Sequence, residues 1–156
     1  MKINMKFGIV LFAVLLMSVT TIAQVDAVRQ KNYNLKKGIA LEGYDPVSYF
    51  DNKPMEGKKE FSMTLKGVTY QFATAANLTK FRNSPENFEP AFGGWCAYAM
   101  GESGDKVKID PETYKVLSGR LYLFYNFWGN NTLETWSKNE QALKSAAETN
   151  WKKFVP

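Results

Sequence analysis

Cys96 is the single thiol of a 156-residue chain that contains no histidine. It sits in Gly93-Gly94-Trp95-Cys96, where two glycines let backbone approach closely and a following helix start would lower the thiol pKa. A thiolate there suits Cu(I), with Met100 or Met63 as a thioether partner, because soft sulfur ligands select that ion. The competing reading takes precedence: one thiolate makes a weak metal site, and most free cysteines are small buried hydrophobes, here between Trp95 and Tyr98. Tyr44-Asp45 places a phenol beside a carboxylate, a pair able to orient a ligand or act as a base. Against this, Asp45 capping a short helix that starts at Pro46 explains both residues. Trp95, Tyr98, Tyr122, Tyr125, Phe127 and Trp128, with Asn126 as a polar group, can line a ligand pocket, although aromatics on strands are more often core. The candidate ligand-binding residues are therefore Tyr44, Asp45, Trp95, Cys96, Tyr98, Tyr125 and Asn126, and the candidate metal ligands Cys96 and Met100. Arg120 can clamp an anion, but in a tight hairpin turn an exposed arginine is the expected case.

The same two counts exclude a great deal. No Ser-His-Asp or Cys-His machine, imidazole-liganded zinc or haem, CxxC redox pair or intrachain disulfide can be built. The formal charge of +5 is spread without a basic block, which argues against nucleic acid as a partner. Gly93-Gly94 lacks the further glycines or Lys-Ser/Thr of a phosphate loop. What remains is a non-enzymatic binding module for a metal ion, copper above all, or a small apolar ligand. The alternatives are a thiol-dependent enzyme or redox protein using Cys96, and a partner-binding scaffold without a small-molecule site. An enzyme would need a base from Asp45, a lysine or a tyrosine.

The elements that must position these residues follow from pattern and punctuation. Lys2 and Lys6, an apolar run over Phe7–Val19 and a Thr-Ile-Ala end read as a secretory leader of bacterial type, cleaved after Ala23, with Ala27 as a second possible site. The apolar run is too short for an uncleaved span, and the absence of a cysteine near the cut excludes a lipoprotein. The mature chain is expected in the periplasm or outside the cell, with no membrane span. Gln24–Lys37 reads as a polar lead-in, extended or partly ordered, to a single domain over 38–156. Phe61–Leu65 and Val68–Phe72 alternate around Lys66-Gly67 as a β-hairpin, and Thr74 caps a helix over Ala75–Asn83 with Ala75, Leu78 and Phe81 inward. Tyr114–Leu117 and Leu121–Tyr125 form a second hairpin. Asn130 or Thr132 caps a helix, and Gln141–Phe154 is amphipathic, with Leu143, Ala147 and Trp151 near one stripe. The fold class is α+β: two hairpins joined in one small antiparallel sheet, helices packed on it, and the last helix lying over the sheet, pinned by Trp151.

The order of blocks carries a resemblance. Gly43-Tyr44-Asp45-Pro46-Val47 is followed by Tyr70-Gln71-Phe72-Ala73 and Phe81-Arg82-Asn83-Ser84-Pro85-Glu86-Asn87-Phe88. Then come Gly93-Gly94-Trp95-Cys96-Ala97, Gly119-Arg120-Leu121-Tyr122-Leu123 and Asn150-Trp151. Together, from about Leu35 to Trp151, these resemble the exported YHS-domain-containing proteins. The resemblance implies a small α+β module, similar to metal-trafficking modules that bind metal through clustered cysteines. The stretch Phe72–Phe81 holds neither cysteine nor histidine, a departure from that pattern. For the exported single-domain group the resemblance implies no particular activity.

Overall fold

The computed structural model of the protein describes residues 23–155. The leader reading falls, apart from Ala23, outside them. A helix, α1, occupies 23–32 of the described residues, where an extended or partly ordered lead-in was expected. Its inward face is polar: Arg29 and Asn32 are buried, which is why a search for apolar periodicity misses it. Hydrogen bonds tie it to distant chain. Asn32 Nδ2 donates to Phe154 O (3.0 Å), Lys106 Nζ to Asn32 Oδ1 (2.6 Å), Trp95 Nε1 to Asn32 O (2.6 Å) and Gln30 Nε2 to Gly67 O (3.1 Å).

Two short strands follow, β1 (Leu35–Lys36) and β2 (Ile39–Ala40), then the first hairpin, β3 (Lys58–Leu65) and β4 (Val68–Phe72). The hairpin turn is where the sequence places it. Lys66 and Gly67 both take positive φ (46° and 77°), the combination that matches the twist of a two-residue hairpin. Val68, Tyr70 and Phe72 alternate inward along β4 and meet Phe81 of α2 (Ala75–Asn83), whose ring lies 4.8 Å from Tyr70 and 5.1 Å from Phe72. Thr74 caps α2 as expected, its side chain accepting from Asn77 N at 3.1 Å. The inward residues of α2 are Asn77 and Phe81; Ala75 is exposed and Leu78 half-buried.

The second hairpin, β5 (Asp110–Leu117) and β6 (Arg120–Phe124), turns at Ser118-Gly119, again with both φ positive. It does not join the first. The first sheet has strand order β1-β2-β4-β3, with β2 parallel to β4, whereas β5-β6 stands alone as a two-stranded sheet. The reason lies in β6, which is buried on both faces. Leu121 and Leu123 belong to a core shared with the first sheet, and Tyr122 and Phe124 to a second core among the helices. β6 thus packs against the first sheet through side chains, and its backbone is met at Leu123 by a parallel bridge from Cys96, which belongs to neither hairpin.

The second core is helical. It draws on α3 (Ala97–Glu102), α4 (Thr132–Lys138) and α5 (Glu140–Trp151); a small hairpin of β7 (Asn126–Phe127) and β8 (Asn130–Asn131) precedes α4 and contributes no residue to it. Asn131, between the two expected caps, caps α4 by accepting from Leu133 N (3.1 Å). The last helix lies on α3 rather than over a sheet. Gly101 makes this possible, since a Cβ there would lie 2.4 Å from Leu143 O. Leu143 and Ala147 are buried in this contact as the stripe requires. No helix among the described residues is long and apolar enough to cross a membrane.

Candidate functional site

Four separated segments converge on one surface cleft of about 380 Å³. Tyr33 enters from the end of α1. Glu86, Glu89 and Phe92 come from the connection after α2, Arg120 from the second hairpin turn, and Trp151 from the end of α5. The connection is shaped by proline and glycine. Pro85 opens a single helical turn, and Pro90 precedes another over Ala91–Gly94, in which Phe92 and Gly93 take left-handed backbone (φ 54° and 59°). Gly93 is required there for a second reason. A Cβ would sit 2.8 Å from Trp151 Cη2 and 2.9 Å from the Tyr33 ring, so the two rings close over bare backbone. Those rings lie 5.8 Å apart, tilted by 59°. The carbonyl of Gly93 accepts from Asn34 N (2.9 Å), which fixes the floor to the start of the chain.

The polar groups of the cleft are held from behind. Arg29, 7 % exposed, forms an ion pair through Nη2 with Glu89 Oε1 and donates from Nη1 to Tyr33 Oη at 2.7 Å. Tyr70 O–H donates to the same Glu89 Oε1 at 2.6 Å. With one oxygen doubly held, Glu89 Oε2 has no hydrogen-bond partner among the described residues, and the side chain keeps 20 % exposure. Burial opposes the charge on Arg29, but the hydrogen bond and the charge of Glu89 outweigh it and raise the guanidinium pKa further. Burial, then the Glu89 charge, pushes the Tyr70 hydroxyl well above its ordinary value. Tyr33 is raised chiefly by burial, with Arg29 pulling the other way. Both phenols therefore stay protonated donors at neutral pH. Arg120 is exposed, its guanidinium carbon 5.7 Å from the Phe92 ring centroid, and it has no ion pair among the described residues.

Comparison with protein-family models, curated proteins and solved structures finds no match.

The residues singled out from sequence do not assemble into one site. Asp45 is fully buried as a structural hub. Its Oδ1 accepts from Val47 N (2.8 Å), and its Oδ2 from Ala73 N (2.9 Å) and Asn77 Nδ2 (2.7 Å). Tyr44 packs against the first core and donates to Glu112 at 3.1 Å. Cys96 is fully buried, and its sulfur is already engaged by Tyr125 N and Thr132 Oγ1, each at 3.4 Å. Cys96 belongs to the first core and Met100 to the second, and Met63 lies on β3. These donors do not fit a copper ion: the thiol is occupied and sealed, and the nearest thioether in sequence packs elsewhere. No group of three or more histidine, cysteine or acidic residues is gathered as a metal cluster among the described residues.

The aromatic set is likewise dispersed. Trp95 is half-buried with its indole N–H on Asn32 O, and Tyr98 packs against both cores. Tyr122 is core, packing between Phe92 and Trp136. Asn126 Nδ2 donates to Thr113 Oγ1 at 3.0 Å, so its amide is spent on β5. Tyr125, Phe127 and Trp128 do cluster, at the tip of the β7–β8 hairpin, where Trp128 is 95 % exposed. None of them lines the cleft. Of the cleft residues, Gly93, Arg120 and Trp151 carry sequence signals, a paired glycine, a cation at a turn and an amphipathic stripe. Tyr33 and Glu89 carry none, because the polar network that places them joins residues sixty positions apart.

Proposed function

We propose that this chain is an exported, non-enzymatic binding module whose small ligand sits in the cleft among Tyr33, Glu89, Phe92, Arg120 and Trp151. The observation that carries the reading is the Glu89 carboxylate in the lining of a ring-walled cleft, with one oxygen fixed by two donors and the other without a partner among the described residues. Preorganised polar groups against apolar rings are what small-ligand sites use to orient a bound molecule. The buried Arg29 costs desolvation and leaves its own Nε without a partner among the described residues. Such a cost is typical where a group is retained for positioning rather than for stability. Export rests on the leader, and kinship with the exported YHS-type proteins on the order of the six sequence blocks. The small-ligand reading is preferred to copper handling because of how Cys96 is sealed, and to a thiol enzyme for the same reason.

The test is amide chemical-shift mapping of the protein against a set of small aromatic and aliphatic ligands, with Cu(I) as a separate titration. Ligand-induced shifts should gather at Tyr33, Glu89, Gly93, Gly119 and the Trp151 indole. Hits that move other residues, or tight Cu(I) binding abolished by Cys96→Ala, would sink the proposal.

A further inference from the structure

The charges around the cleft are arranged in opposition. Glu86 and the open oxygen of Glu89 come from the connection after α2, and Arg120 from the tip of the second hairpin, so anionic and cationic groups enter on different elements. Arg29 offsets the charge of Glu89 from behind, so Glu86 is the uncompensated anion and Arg120 the uncompensated cation of the lining, while Glu89 Oε2 remains an acceptor without a partner among the described residues. A purely cationic ligand would leave Arg120 facing it, and a purely anionic one would meet Glu86 and Glu89. Each mismatch is a like-charge contact next to low-dielectric ring surfaces, where charges are poorly screened.

Resting on the cleft reading above, we propose that the ligand is a small amino-carboxylate zwitterion with an apolar body, of the free amino acid class. Its ammonium group would sit between Glu86 and Glu89 Oε2, its carboxylate on Arg120, and its body against the Tyr33 and Trp151 rings. The recognising chemistry is conventional. An ammonium donates to a carboxylate oxygen that nothing else occupies, and a planar guanidinium takes a carboxylate with two parallel hydrogen bonds. The Tyr33 O–H, which accepts from Arg29 and has no acceptor of its own among the described residues, supplies a further donor. The bare backbone of Gly93 lets the Tyr33 and Trp151 rings meet as one apolar wall, against which the body would lie.

A matched ligand series tests this without altering the network that holds Glu89. L-phenylalanine, 2-phenylethylamine, 3-phenylpropionate and the neutral 3-phenyl-1-propanol share one body and differ in charge. By calorimetry the zwitterion should bind about tenfold or more tighter than either half-charged analogue, as each added charge-assisted hydrogen bond implies. In Arg120→Gln, an exposed change that spares the fold, phenylalanine should fall to within about threefold of phenylethylamine. If phenylpropanol binds the cleft as tightly as phenylalanine, the charge matching is overturned while the cleft reading stands. If none of the four binds, the amino-carboxylate proposal is overturned, and the cleft reading is decided separately by the shift mapping.

Discussion

Asp45→Ala should be among the most damaging single substitutions in this protein, for reasons unrelated to any ligand. The carboxylate is 0 % exposed and accepts three hydrogen bonds that join the 45–48 turn, the end of β4 and the α2 helix. Alanine leaves Val47 N–H, Ala73 N–H and the Asn77 amide without their acceptor. A buried donor left unsatisfied costs about 1–3 kcal/mol, so the three together approach 3–9 kcal/mol. Two effects reduce this. A water molecule can occupy part of the vacated space, and removing the carboxylate relieves its own desolvation. A net loss of about 3 kcal/mol is expected. With a urea slope of about 1.5 kcal/mol/M, the unfolding midpoint should fall by about 2 M. Asp45→Asn should lose less but not nothing. One oxygen is kept, and the new amide N–H2 is turned against at least one donor. Tyr44→Phe removes only an outer contact to Glu112 and should change stability by less than about 0.5 kcal/mol. Urea unfolding followed by circular dichroism measures all three. An Asp45→Ala midpoint within 0.5 M of the parent, with unchanged slope, would refute the hub and return Asp45 to the list of free surface or site groups.

Three further outcomes follow from the packing. Gly101→Ala puts a methyl 2.4 Å from the Leu143 carbonyl oxygen, a backbone atom that cannot rotate aside. It should cost about 1–3 kcal/mol in thermal unfolding, and an unchanged melting temperature would show that α3 and α5 can slide apart freely. Trp128→Asn should stabilise the protein by up to about 1 kcal/mol, because Trp128 is 95 % exposed at φ 52° in the tight turn before Gly129, a position that favours asparagine; a lower midpoint would mean the indole contributes to the fold. Tyr33, Tyr49, Tyr70 and Tyr122 all have hydroxyls raised above the ordinary 10.0, chiefly by burial. The unfolded chain therefore loses those protons first. Stability should be flat with respect to these groups below pH 10 and fall steadily above it, with Tyr70→Phe reducing the slope; a flat profile up to pH 12 would contradict their burial.

The local grammar of this chain was legible and its long-range pairing was not. Lys66-Gly67 and Ser118-Gly119 announce their hairpins because two left-handed residues suit few other structures. Thr74 announces its helix because a hydroxyl there satisfies an otherwise orphaned N–H. Sheet partnership has no such local mark. β2 contributes two residues and still takes the place beside β4, while the second hairpin, expected in the same sheet, lies outside it. Nor does the apolar run of β6 say that its two faces serve different cores, Leu121 and Leu123 one and Tyr122 and Phe124 the other. Asp45 does not cap a helix starting at Pro46: the short helix there runs over Ser48–Asp51, and its N-cap Val47 makes no side-chain cap bond. Asp45 Oδ1 instead accepts from Val47 N, while its other two donors come from Ala73 and Asn77, which no local motif connects to it. The helix over 23–32 escaped for the reason that also hid the cleft. Its inward residues, Arg29 and Asn32, are charged and polar, and their partners lie at Glu89, Lys106 and Phe154.

The order in which the cleft receives its walls has a consequence for the chain as it is made. Tyr33 is among the first described residues to leave the ribosome and Trp151 among the last, and Gly93 is pressed between them. Until the final turn of α5 docks, the Tyr33 ring has no opposing wall, and the floor it shares with Gly93 is open to water. Contacts of such long sequence separation form late, because loop closure must precede them. Closure of the cleft is thus a readout of completed folding: an intermediate lacking α5 would lack the Trp151 wall. A ligand present during folding would act on the last step alone, slowing the undocking of α5 while leaving the formation of both hairpins unchanged.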